Sequence, residues 1–222
     1  MTPDRPAPPG PPDRVEPPEP GGLGQLITRR ILDDLRASFE REGPDRRDAR
    51  SKPEGIVTIV FTDVEESSGI VARLGDERAR DVIRRHDHVL RTTVKAHGGV
   101  EVERAGDGFM IAFSTAGRAL DFAAALQHAL HESSDDGSMV RVRVGMETGE
   151  VIAEEHGYFG GTVFRAARIS ELAGGEQVFV SHATALIAGL DRYPLTDLGE
   201  RDLRGFGAQR VFELNWREHD AG

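Results

Sequence analysis

Between Gly99 and Phe113 the chain reads GVEVERAGDGFMIAF, two runs of alternating apolar residues on either side of Gly106-Asp107-Gly108. An acidic residue between glycines, flanked by such runs, predicts two strands, Val100–Arg104 and Phe109–Phe113, joined by a tight turn. Alone, Asp107 reads as a turn residue, because Asx side chains bond the local backbone. A second carboxylate changes its weight. Gly55–Asp63 (GIVTIVFTD) is an apolar, β-branched run that ends abruptly in Asp63. A buried strand ending in Asp and a hairpin tip carrying Asp bring two hard oxygen ligands together. Such a pair suits Mg²⁺ or Mn²⁺ held against a triphosphate.

The charge balance narrows the partners. The net charge is −10 over 222 residues, which argues against general nucleic-acid binding, since that needs a basic face to displace counterions. No cysteine is present, so disulfides, zinc–thiolate sites and a cysteine nucleophile are excluded. No apolar run approaches the roughly 20 residues of a membrane span, and the N-terminus lacks a signal-peptide core. The expectation is a cytoplasmic protein with no membrane partner.

Composition divides the chain. Nine of the twelve prolines fall within Met1–Pro20, and residues 1–22 read as a disordered Pro-rich tail with too little apolar area to offset ordering entropy. In Leu23–Phe39, Leu26, Ile27, Ile31, Leu35 and Phe39 recur at three- and four-residue steps. This predicts an amphipathic helix over 23–40 that docks on the domain or helps two copies pair. Residues 41–54 read as a polar linker, 55–215 as the folded domain and 216–222 as a tail.

Within the domain the elements alternate. Strand Ile56–Phe61 leads into helix Glu77–His97, stopped by Gly98-Gly99. After the hairpin come helix Ala116–His131, a polar loop over 133–138 and strand Met139–Met146. A turn at Thr148-Gly149 is expected to lead into strand Glu150–Glu154. A glycine-rich Tyr158–Gly161 precedes helix Thr162–Leu172. Strand Val178–Ser181, helix His182–Ile187 and two edge strands, Tyr193–Leu198 and Arg210–Leu214, complete the order. It predicts an α+β sandwich of the ferredoxin-like kind, with helices on one face of a mostly antiparallel sheet.

Other chemistries find little support. His86 and His88 are two apart on a helix and do not face each other; His86, His97 and His128 read as ordinary helix residues. No Ser-His-Asp set is visible, and Gly157–Gly161 lacks the lysine of a phosphate-binding Walker loop.

Five segments together resemble the catalytic domain of class III nucleotidyl (adenylyl/guanylyl) cyclases: FTDVEESS at Phe61–Ser68, GDGFMIAF at Gly106–Phe113, RVGMETGEV at Arg143–Val151, FGGTVFRAARI at Phe159–Ile169 and LGERDLRGF at Leu198–Phe206. The resemblance covers Gly55 to about Leu214. It implies that Asp63 and Asp107 bind two divalent cations, Mg²⁺ or Mn²⁺, with the Val64 carbonyl as a further ligand. One ion would activate the ribose 3′-hydroxyl for in-line attack on the α-phosphate, and the other would stabilise departing pyrophosphate. Arg143 matches a residue contacting the terminal phosphates. Arg168 matches the arginine that stabilises transition-state charge, and Arg204 a further phosphate-binding residue. The family places its active sites between two antiparallel subunits, which implies a homodimer acting on GTP, ATP or both.

Three positions depart from the family pattern. Adenylyl cyclases usually carry lysine where this chain has Glu103, and Asp or Thr where it has Gly157. A glutamate accepts hydrogen bonds from the N1–H and exocyclic amine of guanine, whereas adenine N1 needs a donor. An unpaired buried base edge costs about 1–3 kcal/mol, so Glu103 leans the site to GTP. Gly157 offers no side chain to guanine O6. The ribose-orienting asparagine is replaced by Phe164, a loss worth about 10²-fold in rate if that side chain faces the site. Three readings stay open: a GTP-leaning cyclase, an adenylyl cyclase with atypical base recognition, and a degenerate nucleotide-binding or dimerisation module.

Overall fold

The computed structural model describes residues 53, 55–133, 140–155 and 157–219. The expected tail over 1–22, the helix over 23–40, nearly all of the linker and all but Ser133 of the loop over 133–138 lie outside the described residues.

The apolar run that ends in Asp63 forms β1 (Ile56–Val64), followed by α1 (Ser67–Leu74) and α2 (Asp76–Ala96). Ala79, Val82, His86, Leu90, Thr93 and Val94 are the buried stripe of α2, spaced as a helix face requires. β2 (Val100–Ala105) and β3 (Gly108–Phe113) form the hairpin, and α3 (Ala116–Glu132) follows. Thr115 caps α3 by accepting from the Arg118 N–H. Then come β4 (Val142–Glu150), β5 (Ile152–Glu154), β6 (Gly157–Phe159) and α4 (Gly161–Leu172). The chain closes with β7 (Val178–Ser181), α5 (His182–Ala188), β8 (Leu195–Leu203), β9 (Gly207–Leu214) and a 3-10 turn at Trp216–Glu218.

The seven-stranded sheet runs β2-β3-β1-β4-β7-β9-β8, with β5 and β6 as a separate pair. Among the described strands of this sheet, only β4 and β7 pair in parallel. The mixed α+β architecture with a mostly antiparallel sheet is as expected, but several details differ, among them β6 in place of the expected glycine-rich entry to the helix. Thr148-Gly149 is not a turn: both pair with β1, opposite Thr58 and Val57. β9 is not an edge, because it lies between β7 and β8. Packing also continues past 215, where Trp216 is buried and its indole N–H donates to the Glu176 carbonyl at 2.8 Å.

The helices do not share one face. Val60, Phe109, Ile111, Phe113, Val144 and Met146 pack with α2, α3 and α5 in one core. Val57, Ile59, Phe61, Met110 and Ala112 point the other way and pack with Val163, Ala166 and Ala167 of α4. Two glycines of β4 admit this helix. A Cβ on Gly145 would lie 2.1 Å from the Ser170 backbone N, and one on Gly149 would lie 2.7 Å from Thr162 Oγ1. Ser170 above Gly145 and Thr162 above Gly149 mean that α4 runs antiparallel to β4. Eight helical residues and four strand residues both span about 12–13 Å.

Candidate active site

Asp63 lies near the end of β1, directly opposite Arg143 of β4. Arg143 Nε donates to Asp63 Oδ2 at 2.9 Å, and Nη2 donates to the same oxygen. Asp63 is 5% exposed, and its other oxygen, Oδ1, is buried without a partner. The Asp63 carboxyl is pushed up to about 6; burial is the largest cause, the Arg143 guanidinium opposes it and the nearby Asp107 charge adds to it. Val64 ends β1 opposite Val142.

Asp107 sits in a two-residue turn, since Ala105 pairs with Gly108. Gly106 takes the left-handed φ of +64° that a tight hairpin turn demands. Asp107 is 9% exposed, and its Oδ2 is buried without a partner. The Asp63 and Asp107 oxygens are therefore a pair of orphaned hard donors, the donor chemistry that Mg²⁺ and Mn²⁺ prefer. No set of three or more His, Asp or Glu gathers for a metal among the described residues. Further ligands to a cation here would come from the backbone or from the substrate's own oxygens.

The loop that follows Asp63 is held from outside. Glu65 accepts from the Gly175 N–H at 2.8 Å and pairs with Arg141 at 2.8 Å. Glu66 takes a left-handed φ of 52°, and α1 begins with no side-chain cap. The Gly69 and Ile70 N–H groups turn back onto the Glu66 carbonyl, at 2.7 and 3.3 Å.

Glu103 is half-buried on edge strand β2. A register shift between Glu101 and Glu103 sets it opposite Met110, which belongs to the α4-side core. Gly157 opens β6; it is buried, and a Cβ there would meet nothing within 4 Å. Beside it, the buried Tyr158 donates its hydroxyl to the Pro53 carbonyl at 2.6 Å.

Phe164, Arg168 and Glu171 are spaced to form one stripe of α4. Phe164 packs edge-to-face on Phe159, with ring centroids 5.6 Å apart. Arg168 Nη1 donates to both oxygens of Glu171, at 2.6 and 2.8 Å. Arg204 lies exposed in the turn between β8 and β9. In strand order β9 is three places from β1, about 14 Å at ordinary strand spacing. The fold thus brings Asp63, Asp107 and Arg143 together, and sets Arg204 toward the opposite edge of the sheet.

Several paired residues around this region carry no local signal in the sequence. Glu147, 4% exposed, accepts from Arg165 Nε at 3.0 Å, and the Arg165 guanidinium covers the ring of Phe206. Asp87 meets Arg104 at 2.7 Å across the gap between α2 and the hairpin. Burial would raise the Asp87 carboxyl, but the His86 hydrogen bond and the Arg104 and Arg91 guanidiniums together hold it below the usual range.

Comparison with known proteins agrees with this architecture. The model of the adenylate and guanylate cyclase catalytic domain matches residues 49–216. The uncharacterised protein Rv0891c of Mycobacterium tuberculosis is 39% identical over 164 residues, which cover 71% of this chain and 54% of that protein. The chain therefore spans about half the length of the mycobacterial relatives it matches. The structure of adenylate cyclases from Trypanosoma brucei in their monomeric state aligns with a TM-score of 0.66 at 29% identity, covering 78% of this chain and 94% of that one. The guanylyl cyclase Cya2 aligns at 0.63 and 25% identity, again covering 78% and 94%. No described helix is long and apolar enough to cross a membrane. The family match extends over most of the sequence and contains both orphaned carboxylates, and this chain belongs to the family of adenylate and guanylate cyclase catalytic domains.

Proposed function

We propose that the domain converts a nucleoside triphosphate into the 3′,5′-cyclic nucleotide and pyrophosphate, leaning to GTP, as a homodimer in the cytoplasm. The observation that carries this reading is the pair of buried, unpartnered oxygens on Asp63 and Asp107, beside the uncapped start of α1. Asp63, Asp107 and the Val64 carbonyl would hold divalent cations, which would supply Lewis-acid activation of the ribose 3′-hydroxyl and charge relief for pyrophosphate.

The chain's own groups do the rest. The start of α1, which has no side-chain cap, follows the Asp63 loop and offers its N-terminal end to phosphate oxygens. Arg143 neutralises Asp63 until the substrate arrives and is then placed to meet the terminal phosphates. Arg168 leaves Glu171 to offset charge on the α-phosphoryl as the 3′-oxygen bonds to phosphorus and the bond to the β-phosphate oxygen breaks. Glu103 accepts from the guanine edge, and the space above Gly157 leaves room for the base. Arg204 is reserved for a phosphate of the site completed by a second copy; its distance in strand order from Asp63 supports a site shared between two chains.

A second reading, a domain with little useful catalysis, draws on Phe164. Its ring is committed to Phe159, where an asparagine would give the ribose a hydrogen bond. An adenylyl cyclase with atypical base recognition is the third. The test is cyclic nucleotide formation by the purified chain with Mn²⁺, with GTP and ATP in parallel. Cyclic GMP in excess, abolished in Asp107→Ala, supports the first reading. Cyclic AMP in excess overturns the role of Glu103, and no product in either assay favours the degenerate module.

A further inference from the structure

The Asp107 carboxylate has one buried oxygen with no partner, and the residue before it is a glycine in the left-handed region. Neither feature fixes the direction in which the carboxylate points. The constraint comes from Arg104. Its Nε donates to the Gly106 carbonyl at 2.9 Å, which is the carbonyl of the peptide leading directly into Asp107. Its Nη2 lies 2.7 Å from Asp87 Oδ2 on α2, and its guanidinium lies over the Phe109 ring, 5.2 Å from the centroid. Asp87 is itself backed by the buried His86, whose Nδ1 lies 3.3 Å from Asp87 Oδ1. A planar guanidinium held on two edges and one face has little freedom left.

We propose that Arg104, anchored by Asp87, is a positioning residue that sets the orientation of the Asp107 carboxylate for cation binding. The proposal rests on reading Asp107 as a metal ligand. The same side of α2 provides a matched control. Arg91 also covers the Phe109 ring, at 5.3 Å, and ties α2 to β2 through Glu101 at 2.8 Å. Its contact with Asp87 is the longer one, 4.0 Å against 2.7 Å for Arg104, and no bond from it to the turn is found among the described residues. A strap that only fastens α2 to the hairpin would use Arg91 and Arg104 alike; a device for aiming Asp107 needs Arg104.

The experiment is Mn²⁺ binding by the full chain, read from loss of the free-ion electron paramagnetic resonance signal, in Arg104→Met, Arg104→Lys, Asp87→Asn, Arg91→Met and Asp107→Asn. Partners that orient a metal ligand typically change affinity by about 10–100-fold when removed. Arg104→Met and Asp87→Asn are expected to weaken Mn²⁺ by at least about tenfold and to raise the half-saturating Mn²⁺ for turnover in parallel. KM for the triphosphate at saturating Mn²⁺ should stay unchanged. Arg104→Lys keeps a charge for Asp87 but not the fork, and should weaken Mn²⁺ as well. If Arg104→Met fails to fold, the near-isosteric Asp87→Asn and Arg104→Lys carry the test. Wild-type Mn²⁺ affinity in the Arg104 and Asp87 variants, or an equal loss in Arg91→Met, overturns the proposal. Wild-type affinity in Asp107→Asn overturns the metal reading beneath it instead.

Discussion

Arg143 gives two hydrogen bonds to one oxygen of Asp63 and leaves the other oxygen buried and unpaired. The arginine is thus an internal counter-ion for a carboxylate that also feels Asp107. Half of the Asp63 coordination capacity is spent on the protein, and half is held open. Removing one partner of such a buried pair commonly costs about 3–5 kcal/mol, because the other charge stays behind. Arg143→Met should therefore lower the melting temperature of the cation-free protein at pH 7.5. Adding Mn²⁺ or acidifying to pH 5 should restore much of the loss, since each relieves the stranded charge. A melting temperature that responds to neither would show that Arg143 does not serve Asp63 in this way.

The position of Asp63 also gives a pH dependence with a definite sign. Its carboxyl rises from 3.8 to about 6 on folding, so the folded state holds the proton more tightly than the unfolded one. Stability of the cation-free protein falls as pH rises between these values, by up to about 3 kcal/mol, and the loss is complete above the folded value. A cation must compete with that proton. The thermal stabilisation given by a fixed Mn²⁺ concentration should therefore be larger at pH 7.5 than at pH 5, and Asp63→Asn should abolish the difference. A Mn²⁺ shift that is equal at both pH values would refute the coupling.

Two glycines make opposite predictions although both lie near the α4 side of the sheet. Gly145→Ala forces a methyl to within 2.1 Å of the Ser170 backbone, so α4 must move bodily; the expected cost in denaturant unfolding is at least about 2 kcal/mol. Gly157→Ala meets nothing within 4 Å and should stay within about 0.5 kcal/mol of wild type. Equal costs for the two would mean that close approach of α4 is not what excludes a side chain from position 145.

Base choice and ribose orientation are separable. Glu103→Lys replaces an acceptor with a donor at the proposed base edge, and should move the ratio of kcat/KM for GTP over ATP by tenfold or more toward ATP. An unchanged ratio would remove Glu103 from base recognition.

Phe164→Asn gives up an edge-to-face contact worth about 1 kcal/mol and supplies a ribose partner. An impaired cyclase should then gain in kcat, by up to about 10²-fold, with little change in Mn²⁺ dependence. No turnover in either form would favour the degenerate module.

Much of the molecule was legible from local spacing. The hairpin around Asp107, the strand ending in Asp63 and the stripes of α2 and α3 follow from periodicities of two and 3.6, which short-range backbone geometry imposes. The chain segments of the family motif are equally local. What the sequence by itself determined was therefore most of the elements, their broad order and the two aspartates, though not that Thr148-Gly149 continues β4 or that Gly157–Phe159 is a strand. The tertiary structure decided the relations between distant residues. An inward stripe of Val163, Ala166 and Ala167 says that α4 has a buried face, but not which side of the sheet receives it. That depended on two missing side chains in β4, at Gly145 and Gly149. The family resemblance gives Arg143 a role at the terminal phosphates, and only the register of β1 against β4 places it on Asp63. The pairing of Asp87 with Arg104 has the same origin. Local periodicity records which way one side chain points, whereas burial and charge pairing depend on what another segment places opposite it.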